Sequence, residues 1–302
     1  MTTGTERAGS ESLADDILEW FAKSARELPW RCSGTSPNAD AWAVLVSEFM
    51  LQQTPVARVL PVYTAWLQRW PTPAGLAQDS SGEAVRMWGR LGYPRRALRL
   101  HACAGQILAR FGGSVPTDVD DLLSLPGIGD YTARAIAAFA FGQRQPVVDT
   151  NVRRVIARAV GGQGHAGPPS TTRDLVAAEA LLPIEPAQAA RFSAALMELG
   201  ALVCTAQTPN CVACPIYQRC AWQLAGSPPY HGPKPRPQRF TGSDRQARGL
   251  LLGAVRDSYA PVDRATLDLV WADAVQRDRA LRALIVDGLI ELLPNGRFAL
   301  PT

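Results

Sequence analysis

A single carboxylate stands inside an almost continuous apolar stretch. From Asp40 the sequence reads Asp-Ala-Trp-Ala-Val-Leu-Val-Ser-Glu-Phe-Met-Leu-Gln-Gln, and Glu48 is its only carboxylate after Asp40. A helix that is apolar nearly all round is buried. Burial disfavours the charged form, so we expect a raised pKa for Glu48, as a general acid near neutral pH requires. The alternative is that Glu48 and Gln52 share one exposed, solvated stripe.

A second carboxylate, Asp149, precedes another predicted helix in the segment Val148-Asp149-Thr150-Asn151-Val152. Asp149 or Thr150 could simply be the N-cap of that helix. The functional alternative is a carboxylate that faces a developing positive charge. With Glu48 it would form the pair that cleaves glycosidic bonds, in which one group protonates the leaving group and the other stabilises an oxocarbenium-like sugar. The sequence alone does not show that the two meet.

Four cysteines lie within a segment of 17 residues, and this segment contains no histidine. Their spacing is Cys204-x6-Cys211-x2-Cys214-x5-Cys220. Four thiolates hold either tetrahedral zinc or an iron–sulfur cluster, and the pair of CxxC motifs usual in zinc ribbons is incomplete here. The pattern predicts a metal site with these four ligands. Cys32 and Cys103 stand alone, and we expect buried, unreactive thiols.

A glycine-containing turn, Leu125-Pro126-Gly127-Ile128-Gly129, separates two predicted helices at 118–123 and 131–141. Glycines let a backbone phosphate approach the first free N–H groups of the second helix, whose dipole favours an anion. This arrangement is typical of a helix-hairpin-helix, which holds DNA backbone without reading sequence. The alternative is an ordinary αα-hairpin. The candidate phosphate contacts are Gly127, Ile128 and Gly129.

Two other segments combine aromatic and basic residues on predicted loops. Arg26-Glu27-Leu28-Pro29-Trp30-Arg31 offers an aromatic ring for base stacking beside arginines for phosphates, although Trp30 could be plain core. Trp88-Gly89-Arg90-Leu91-Gly92-Tyr93 offers Leu91 and Tyr93 as apolar wedges for a base stack, or as residues that fill the core.

Composition bounds the class of protein. The 302 residues are 47% hydrophobic, with a net charge of +4, which allows about two domains with a sizeable core and is compatible with nucleic acid. Two basic clusters, 86–99 and 234–248, are equally compatible with solvated faces. No secretory signal is apparent, and no apolar run reaches the roughly 18 residues of a membrane span. We expect a cytoplasmic protein without a membrane partner.

The coarse pattern predicts a mostly α protein. The C-terminal pattern, three helices followed by a hairpin with an Asn295-Gly296 turn, predicts a small winged-helix-like α+β unit. The pattern itself separates a disordered tail (1–11), a helical region (12–222), a basic Pro-rich linker (223–246) and the small unit (247–302).

These motifs together resemble the endonuclease III superfamily of DNA glycosylases, and within it the MutY-type adenine glycosylases. The resemblance runs from about Ile17 to Cys220. It rests on Leu28-Pro29-Trp30-Arg31, Ser47-Glu48-Phe49-Met50-Leu51-Gln52-Gln53-Thr54, Gly89-Arg90-Leu91-Gly92-Tyr93, the hairpin, Val148-Asp149-Thr150-Asn151-Val152, Glu198-Leu199-Gly200-Ala201 and the four cysteines.

The resemblance implies a two-lobed helix-hairpin-helix glycosylase fold. A six-helix barrel with the hairpin would span 33–147, a [4Fe–4S] lobe would span 12–32 plus 148–222, and DNA would lie in the cleft between them. A flipped-out adenine would be protonated at N7 by Glu48. Asp149 would stabilise the cationic sugar or bond to it transiently, assisted by Asn151 and Tyr131. By the same resemblance, Trp30, Arg31 and Glu198 would line the adenine pocket. The residues that contact or wedge beside the opposite purine would be Gln53, Thr54, Leu91 and Tyr93.

Two departures from the family pattern bear on function. Bifunctional relatives carry a lysine where this sequence has Tyr131, and a tyrosine cannot form the Schiff base that cuts the strand. The sequence therefore predicts a monofunctional enzyme that leaves an abasic site. Longer MutY-type proteins end in a Nudix-like domain that helps to recognise 8-oxoguanine, and the 56 residues from 247 are too few for it.

The expected partner is double-stranded DNA with adenine opposite 8-oxoguanine or guanine, bound by a monomer of a cytoplasmic, bacterial nucleoid-associated base excision repair enzyme. Two alternatives stay open. One is an endonuclease III-like glycosylase for oxidised pyrimidines, which the lack of a lysine at Tyr131 disfavours. The other is a non-catalytic, cluster-bearing DNA-binding protein, which would leave the positions of Glu48 and Asp149 unexplained.

Overall fold

The computed structural model describes residues 4–31, 37–230 and 239–302, whose regular secondary structure is almost all helical. In chain order the helices are α1 (Gly4–Ser24), α2 (Pro37–Leu51), α3 (Val56–Arg69), α4 (Pro73–Gln78), α5 (Ser81–Trp88), α6 (Arg95–Phe111), α7 (Val119–Leu123), α8 (Asp130–Phe141), α9 (Thr150–Ala159), α10 (Thr171–Glu179) and α11 (Pro186–Leu202). Two 3-10 turns, Cys211–Ala213 and Tyr217–Arg219, and helix α12 (Ala221–Leu224) follow.

The C-terminal part, residues 239–302, contains α13 (Asp244–Arg256), α14 (Arg264–Asp268), α15 (Ala274–Val286), β1 (Glu291–Leu292) and β2 (Phe298–Ala299). The two strands pair antiparallel, with Glu291 opposite Ala299 and Leu292 opposite Phe298. The predicted hairpin is thus confirmed. No helix within the described residues is both long and apolar enough to cross a membrane. Cys32 lies outside these residues.

Two helices, α1 and α2, begin or end at residues other than those that the sequence predicted. Helix α1 begins at Gly4, whereas we predicted a tail over 1–11, and this stretch contains no proline to stop a helix. Helix α2 begins at Pro37, which suits a first helical turn. It ends at Leu51 because Gln53 has a φ of 58°, a left-handed conformation that cannot continue the helix.

Contacts divide the described residues into two units. The first lies within Met1–Val44, Thr117–Leu123 and Ile128–Pro233, and the second within Leu45–Pro116, Ser124–Gly127 and Lys234–Thr302. In the first unit, Leu13, Ile17 and Phe21 form one face of α1 at four-residue spacing and join a core with α9 and α11. Each such side chain contributes about 1.5–3 kcal/mol by its burial.

The second unit is built around tryptophan side chains. The ring of Trp66 meets those of Trp70 and Trp88 edge to face, with centroids 4.6 Å and 5.7 Å apart. Such edge-to-face pairs add to the free energy gained from burying the rings. In the C-terminal part, α13 and α15 pack through buried leucine and valine side chains, including Leu251 and Leu284.

The end of the chain packs against α5 at Gly82. A Cβ built on Gly82 would lie 2.3 Å from the carbonyl oxygen of Pro301 and 2.9 Å from Cβ of Leu300. Only glycine leaves room for this contact, which helps to explain why the C-terminal part groups with residues 45–116. The predicted domain boundaries, including an independent unit at 247–302, stay predictions.

Gly82→Ala should destabilise the protein, because the added methyl group overlaps the backbone of Pro301. We expect a loss of about 1–3 kcal/mol in the free energy of unfolding, as for an overpacked core. The matched control is Gly249→Ala in α13, where a Cβ meets nothing within 4 Å. That variant should gain up to about 1 kcal/mol from helix propensity. Urea unfolding of both variants checks the prediction, and equal shifts would contradict it.

Candidate active site

Glu48 lies where the sequence placed it, on the buried helix α2. Its side chain is 5% exposed, and its helical neighbours Ser47 and Phe49 are fully buried. The solvated-stripe alternative is therefore wrong for Glu48. Its raised pKa stays a prediction. Glu48 belongs to the second unit and Asp149 to the first.

Asp149 is the N-cap of α9, and its carboxylate is held by two donors. Its Oδ1 accepts a hydrogen bond of 2.7 Å from the Val152 N–H, and its Oδ2 accepts one of 2.8 Å from Asn151 Nδ2. Burial raises the pKa of Asp149 above its usual range, although both hydrogen bonds favour the charged form. Capping and function are thus compatible, because the bonds fix the direction of the carboxylate.

An arginine that the sequence analysis missed orients Asn151. Arg154 Nη2 donates to Asn151 Oδ1 at 2.7 Å and to the Gly200 carbonyl at 2.6 Å. Helix α11 lies very close to α9 here: a Cβ built on Gly200 would lie 2.7 Å from Cβ of Asn151. The signal in the sequence was Gly200 within Glu198-Leu199-Gly200-Ala201, which marks a close helix contact.

Tyr131 lies in the first turn of α8, partly buried, and packs against a small core that includes Ala135 and Val147. It belongs to the same unit as Asp149. The hairpin has a tyrosine at the position where bifunctional relatives carry a lysine. The assisting role of Tyr131 stays a prediction.

Glu198 is the most strongly bound carboxylate near the predicted base pocket. It is 1% exposed. Arg26 donates to it from its backbone N–H (2.9 Å), Nε (2.8 Å) and Nη2 (2.6 Å), and Arg31 Nη2 donates at 2.8 Å. Burial alone would raise its pKa, but these hydrogen bonds outweigh burial and lower the pKa to about 2.

The carboxylate of Glu198 thus fixes the segment 26–31 to α11. Trp30 is buried in this segment, and the Arg31 guanidinium also lies 5.1 Å from the ring centre of Phe21. Arg26 was not among the predicted site residues, although the sequence showed two arginines around Leu28-Pro29-Trp30. The role of Trp30, Arg31 and Glu198 in binding adenine stays a prediction.

The hairpin turn confirms the need for glycine at one position. Gly127 has a φ of 82°, and a Cβ there would lie 2.8 Å from the Phe49 ring and 2.9 Å from Cβ of Arg99. Gly129 is the N-cap of α8 and has no side chain to cap its first N–H groups. Those N–H groups suit an anion, as the predicted phosphate contact requires. Ile128, between the two glycines, is buried.

A buried arginine, Arg96, connects Thr54, one of the predicted opposite-base residues, to the end of α2 and to the carbonyl of Gly92. Arg96 Nη1 donates to the carbonyl oxygens of Phe49 (2.8 Å) and Met50 (2.9 Å) at the end of α2. Its Nη2 donates to Thr54 Oγ1 (2.8 Å) and to the Gly92 carbonyl (3.1 Å). Burial lowers the pKa of Arg96 to about 10. The sequence indicated only a basic cluster here, not this internal role.

Leu91 and Tyr93 differ in accessibility. Leu91 is 3% exposed, whereas Tyr93 is 50% exposed and has a φ of 48°. Tyr93 is therefore available to contact DNA as the structure stands, and Leu91 would have to leave the core. Gln53 also has a positive φ, immediately before the buried Thr54. The roles of all four residues stay predictions.

The four clustered cysteines line a single small cavity that is partly open to solvent. Arg158 Nη1 donates to Cys204 Sγ at 3.3 Å, and Gln223 Nε2 donates to Cys211 Sγ at 3.0 Å. In the described part of the chain, no group of three or more His, Cys, Asp or Glu surrounds one metal-ion position. Cys103 is buried elsewhere, and burial raises the pKa of its thiol to about 12.

The fold and the hairpin place the chain in a known class. Residues 46–178 match the family described as HhH-GPD superfamily base excision DNA repair protein. The fold is similar to that of a thermostable thymine-DNA glycosylase (TM-score 0.64, 24% identity, 72% of this chain and 98% of that chain). It is also similar to endonuclease III in a non-covalent complex with DNA (TM-score 0.59, 22% identity, 75% and 99%). This is the helix-hairpin-helix glycosylase fold.

Relatives that match most of this chain identify the family within this class of glycosylases. An adenine DNA glycosylase of Mycobacterium tuberculosis is 54% identical over 295 residues, 97% of this chain and 95% of the relative. One from Mycolicibacterium smegmatis is 55% identical over 286 residues, 94% of each chain. The human adenine DNA glycosylase is 44% identical over 212 residues, 68% of this chain and 38% of the human protein. The chain belongs to the adenine DNA glycosylase family.

Acidification should weaken the protein through Glu198. Its pKa of about 2 lies below the roughly 4.3 of an unfolded glutamate, so its ionised form favours the folded state by about 3 kcal/mol. This contribution is complete above about pH 5 and is lost as the pH falls through about 2. Urea unfolding at a series of pH values measures it.

Glu198→Gln should lower the free energy of unfolding by about 3–5 kcal/mol at neutral pH, because Arg26 and Arg31 are left without a carboxylate partner. The stability of this variant should also fall less steeply as the pH is lowered. Glu19→Gln is the matched control, since Glu19 is exposed and pairs only with Lys23 in the same helix. An acid profile of Glu198→Gln that parallels the native one would contradict the assignment.

Proposed function

We propose that the protein excises adenine paired with 8-oxoguanine or guanine in double-stranded DNA and leaves an abasic site without cutting the strand. The observation that carries this proposal is the oriented Asp149 carboxylate at the start of α9, together with Glu48 inside an apolar helix. Glycosidic cleavage needs two such carboxyl groups in different environments. The adenine specificity is supported by the names of the mycobacterial and human relatives.

In this mechanism the target adenine leaves the base stack before chemistry. Glu48 delivers a proton to N7 of the base, so the bond between base and sugar breaks with its electron pair on a neutral leaving group. The ionised Asp149 compensates the positive charge that develops on the sugar, and water then adds to give the abasic site. Asn151 keeps the Asp149 carboxylate in its orientation.

A lyase step is not proposed, because Tyr131 has no amine with which to open the sugar as a Schiff base. The same tyrosine disfavours the alternative of an endonuclease III-like enzyme for oxidised pyrimidines. DNA is held through its backbone, and the turn at Gly127 to Gly129 with the first N–H groups of α8 suits a phosphate. We also infer that the protein is a monomer. We infer that it acts at the nucleoid in the cytoplasm, because its proposed substrate is duplex DNA.

Glu48→Gln should lower the single-turnover rate of adenine release by about 10²- to 10⁴-fold, the usual contribution of a general acid. Labelled duplexes with adenine opposite 8-oxoguanine, guanine or cytosine provide the measurement, with strand breaks counted before and after alkali. Breaks should appear only after alkali. Binding of the same duplexes should persist, because Glu48 is buried and not a DNA-backbone contact.

Glu19→Gln is the matched control and should retain the native rate, since Glu19 is an exposed residue of α1. Absence of adenine release by the native protein from every duplex would overturn the proposed activity. Equal release opposite 8-oxoguanine and cytosine would overturn only the proposed preference for the opposite base. A native rate in Glu48→Gln would remove Glu48 from the mechanism.

We also propose that Cys204, Cys211, Cys214 and Cys220 bind a [4Fe–4S] cluster. The donor set fits, because four thiols line one cavity and N–H groups of Arg158 and Gln223 are directed at two of the sulfurs. When bound, the cluster would hold residues 204–220 as an ordered loop and supply no step of base release.

The purified protein should contain about four iron and four sulfide per chain, the stoichiometry of such a cluster. Cys211→Ser should lose most of both, because one of the four ligands is gone. Cys103→Ala is the matched control and should retain them, since Cys103 is buried apart from the cavity. Stoichiometric zinc in place of iron would contradict the cluster.

A further inference from the structure

The loop 89–93, which joins α5 to α6, has an unusual backbone. Three of its five residues have positive φ: Gly89 (57°), Gly92 (89°) and Tyr93 (48°). A tyrosine in this conformation is strained, so it persists only where surrounding contacts hold it. The loop also presents the half-exposed Tyr93, which the sequence predicts to contact or wedge beside the opposite purine.

Side chains from elsewhere in the second unit bind successive carbonyl oxygens of this loop. The carbonyl of Arg90 accepts from Arg58 Nη2, and that of Leu91 lies 3.4 Å from Thr54 Oγ1. The carbonyl of Gly92 accepts from Trp88 Nε1 at 3.0 Å and also from Arg96, as described above. These donors come from residues 54–96, near the loop in sequence.

The carbonyl of Gly89 is bound instead by the C-terminal part. Arg256 Nη1, in the last turn of α13, donates to it at 2.7 Å. Arg256 is 7% exposed, and Asp257 orients its guanidinium through Nε at 2.8 Å. The donor to Gly89 is therefore a buried, charged and directed group, and hydrogen bonds from such groups are stronger than neutral ones.

A second arginine completes the connection in the opposite direction. Arg86, on α5 just before the loop, donates from Nη1 to the carbonyls of Arg256 and, at 3.0 Å, Ser258. Its guanidinium also lies 5.0 Å from the ring centre of Tyr259. Arg86 at the end of α5 thus binds backbone at the end of α13, and Arg256 at the end of α13 binds backbone just after α5.

We propose that the C-terminal part positions the loop 89–93 for its contact with the opposite base, with Arg256 as the positioning residue. This inference rests on the proposed function, because contact with an opposite base presupposes the mispaired duplex DNA proposed above as the substrate. A loop held in its binding conformation before DNA arrives avoids the entropic cost of ordering it on binding. The short C-terminal part therefore serves recognition without touching the base.

The test uses the full chain with Arg256→Ala, Arg256→Lys and Arg277→Ala. Arg277 is the matched control because it is equally buried, at 8% exposed, and donates to the carbonyls of Asp268 and Trp271 inside the C-terminal part. Amide hydrogen exchange of peptides that cover residues 89–93 is measured first, without DNA. Single-turnover adenine release opposite 8-oxoguanine is measured second.

Arg256→Ala should speed exchange in the loop and slow adenine release by about tenfold, equivalent to one charge-assisted hydrogen bond. Arg256→Lys, which keeps one donor, should recover part of both effects. Arg277→Ala should leave loop exchange at the native rate even if it lowers overall stability. A loss that merely reflects a weakened C-terminal part would appear in Arg277→Ala as well.

Native loop exchange in Arg256→Ala would overturn the positioning role, whatever the activity. Faster exchange with a native rate of release would also overturn it, because the loop would then not govern recognition. If the native protein releases no adenine at all, the proposed function fails, and this outcome is separate because the exchange measurement needs no substrate. Slower DNA binding with native exchange would point to direct DNA contact by the C-terminal part.

Discussion

The carboxylate of Glu198 between two guanidinium groups is the interaction on which the first unit depends most. A buried charge needs partners that satisfy it, and Glu198 obtains them from the segment that contains Arg26 and Arg31. Its position on α11 is itself fixed, because Gly200 lets α11 lie directly against Asn151 of α9. One ion-pair cluster and one close helix contact therefore position the Asp149 carboxylate relative to the predicted base pocket.

Arginine side chains perform much of the internal construction in both units. Arg96, Arg154, Arg158 and Arg256 each donate to backbone carbonyl oxygens, several of them at the ends of helices or in loops. The guanidinium suits this role because its donors form a rigid fork and the end of a helix carries unpaired carbonyls. Net charge is thus a poor guide to a DNA-binding surface here, because Arg96, Arg158 and Arg256 are buried and bind the protein's own backbone.

Local patterns predicted the parts of the fold that depend on a residue's own neighbours in sequence. The apolar run around Glu48 predicted a buried helix, the glycines near Ile128 predicted the hairpin, and Asn295-Gly296 predicted the β-turn. The partners of Glu198 and Arg96 could not be predicted, because pairs such as Arg26 and Glu198 are 172 positions apart. The burial of Leu91 beside the exposed Tyr93 likewise depends on tertiary packing.

The contact between Gly127 and the ring of Phe49 has a further consequence. Phe49 follows Glu48 in α2, so the turn that suits a DNA phosphate rests on the residue beside the proposed proton donor. A side chain at Gly127 would displace an aromatic ring one position from the acid as well as disturb the turn. The proposed phosphate contact and the proposed proton donor therefore share one support, the ring of Phe49. We expect natural variation in this family to alter Gly127 and Phe49 together or to leave both unchanged.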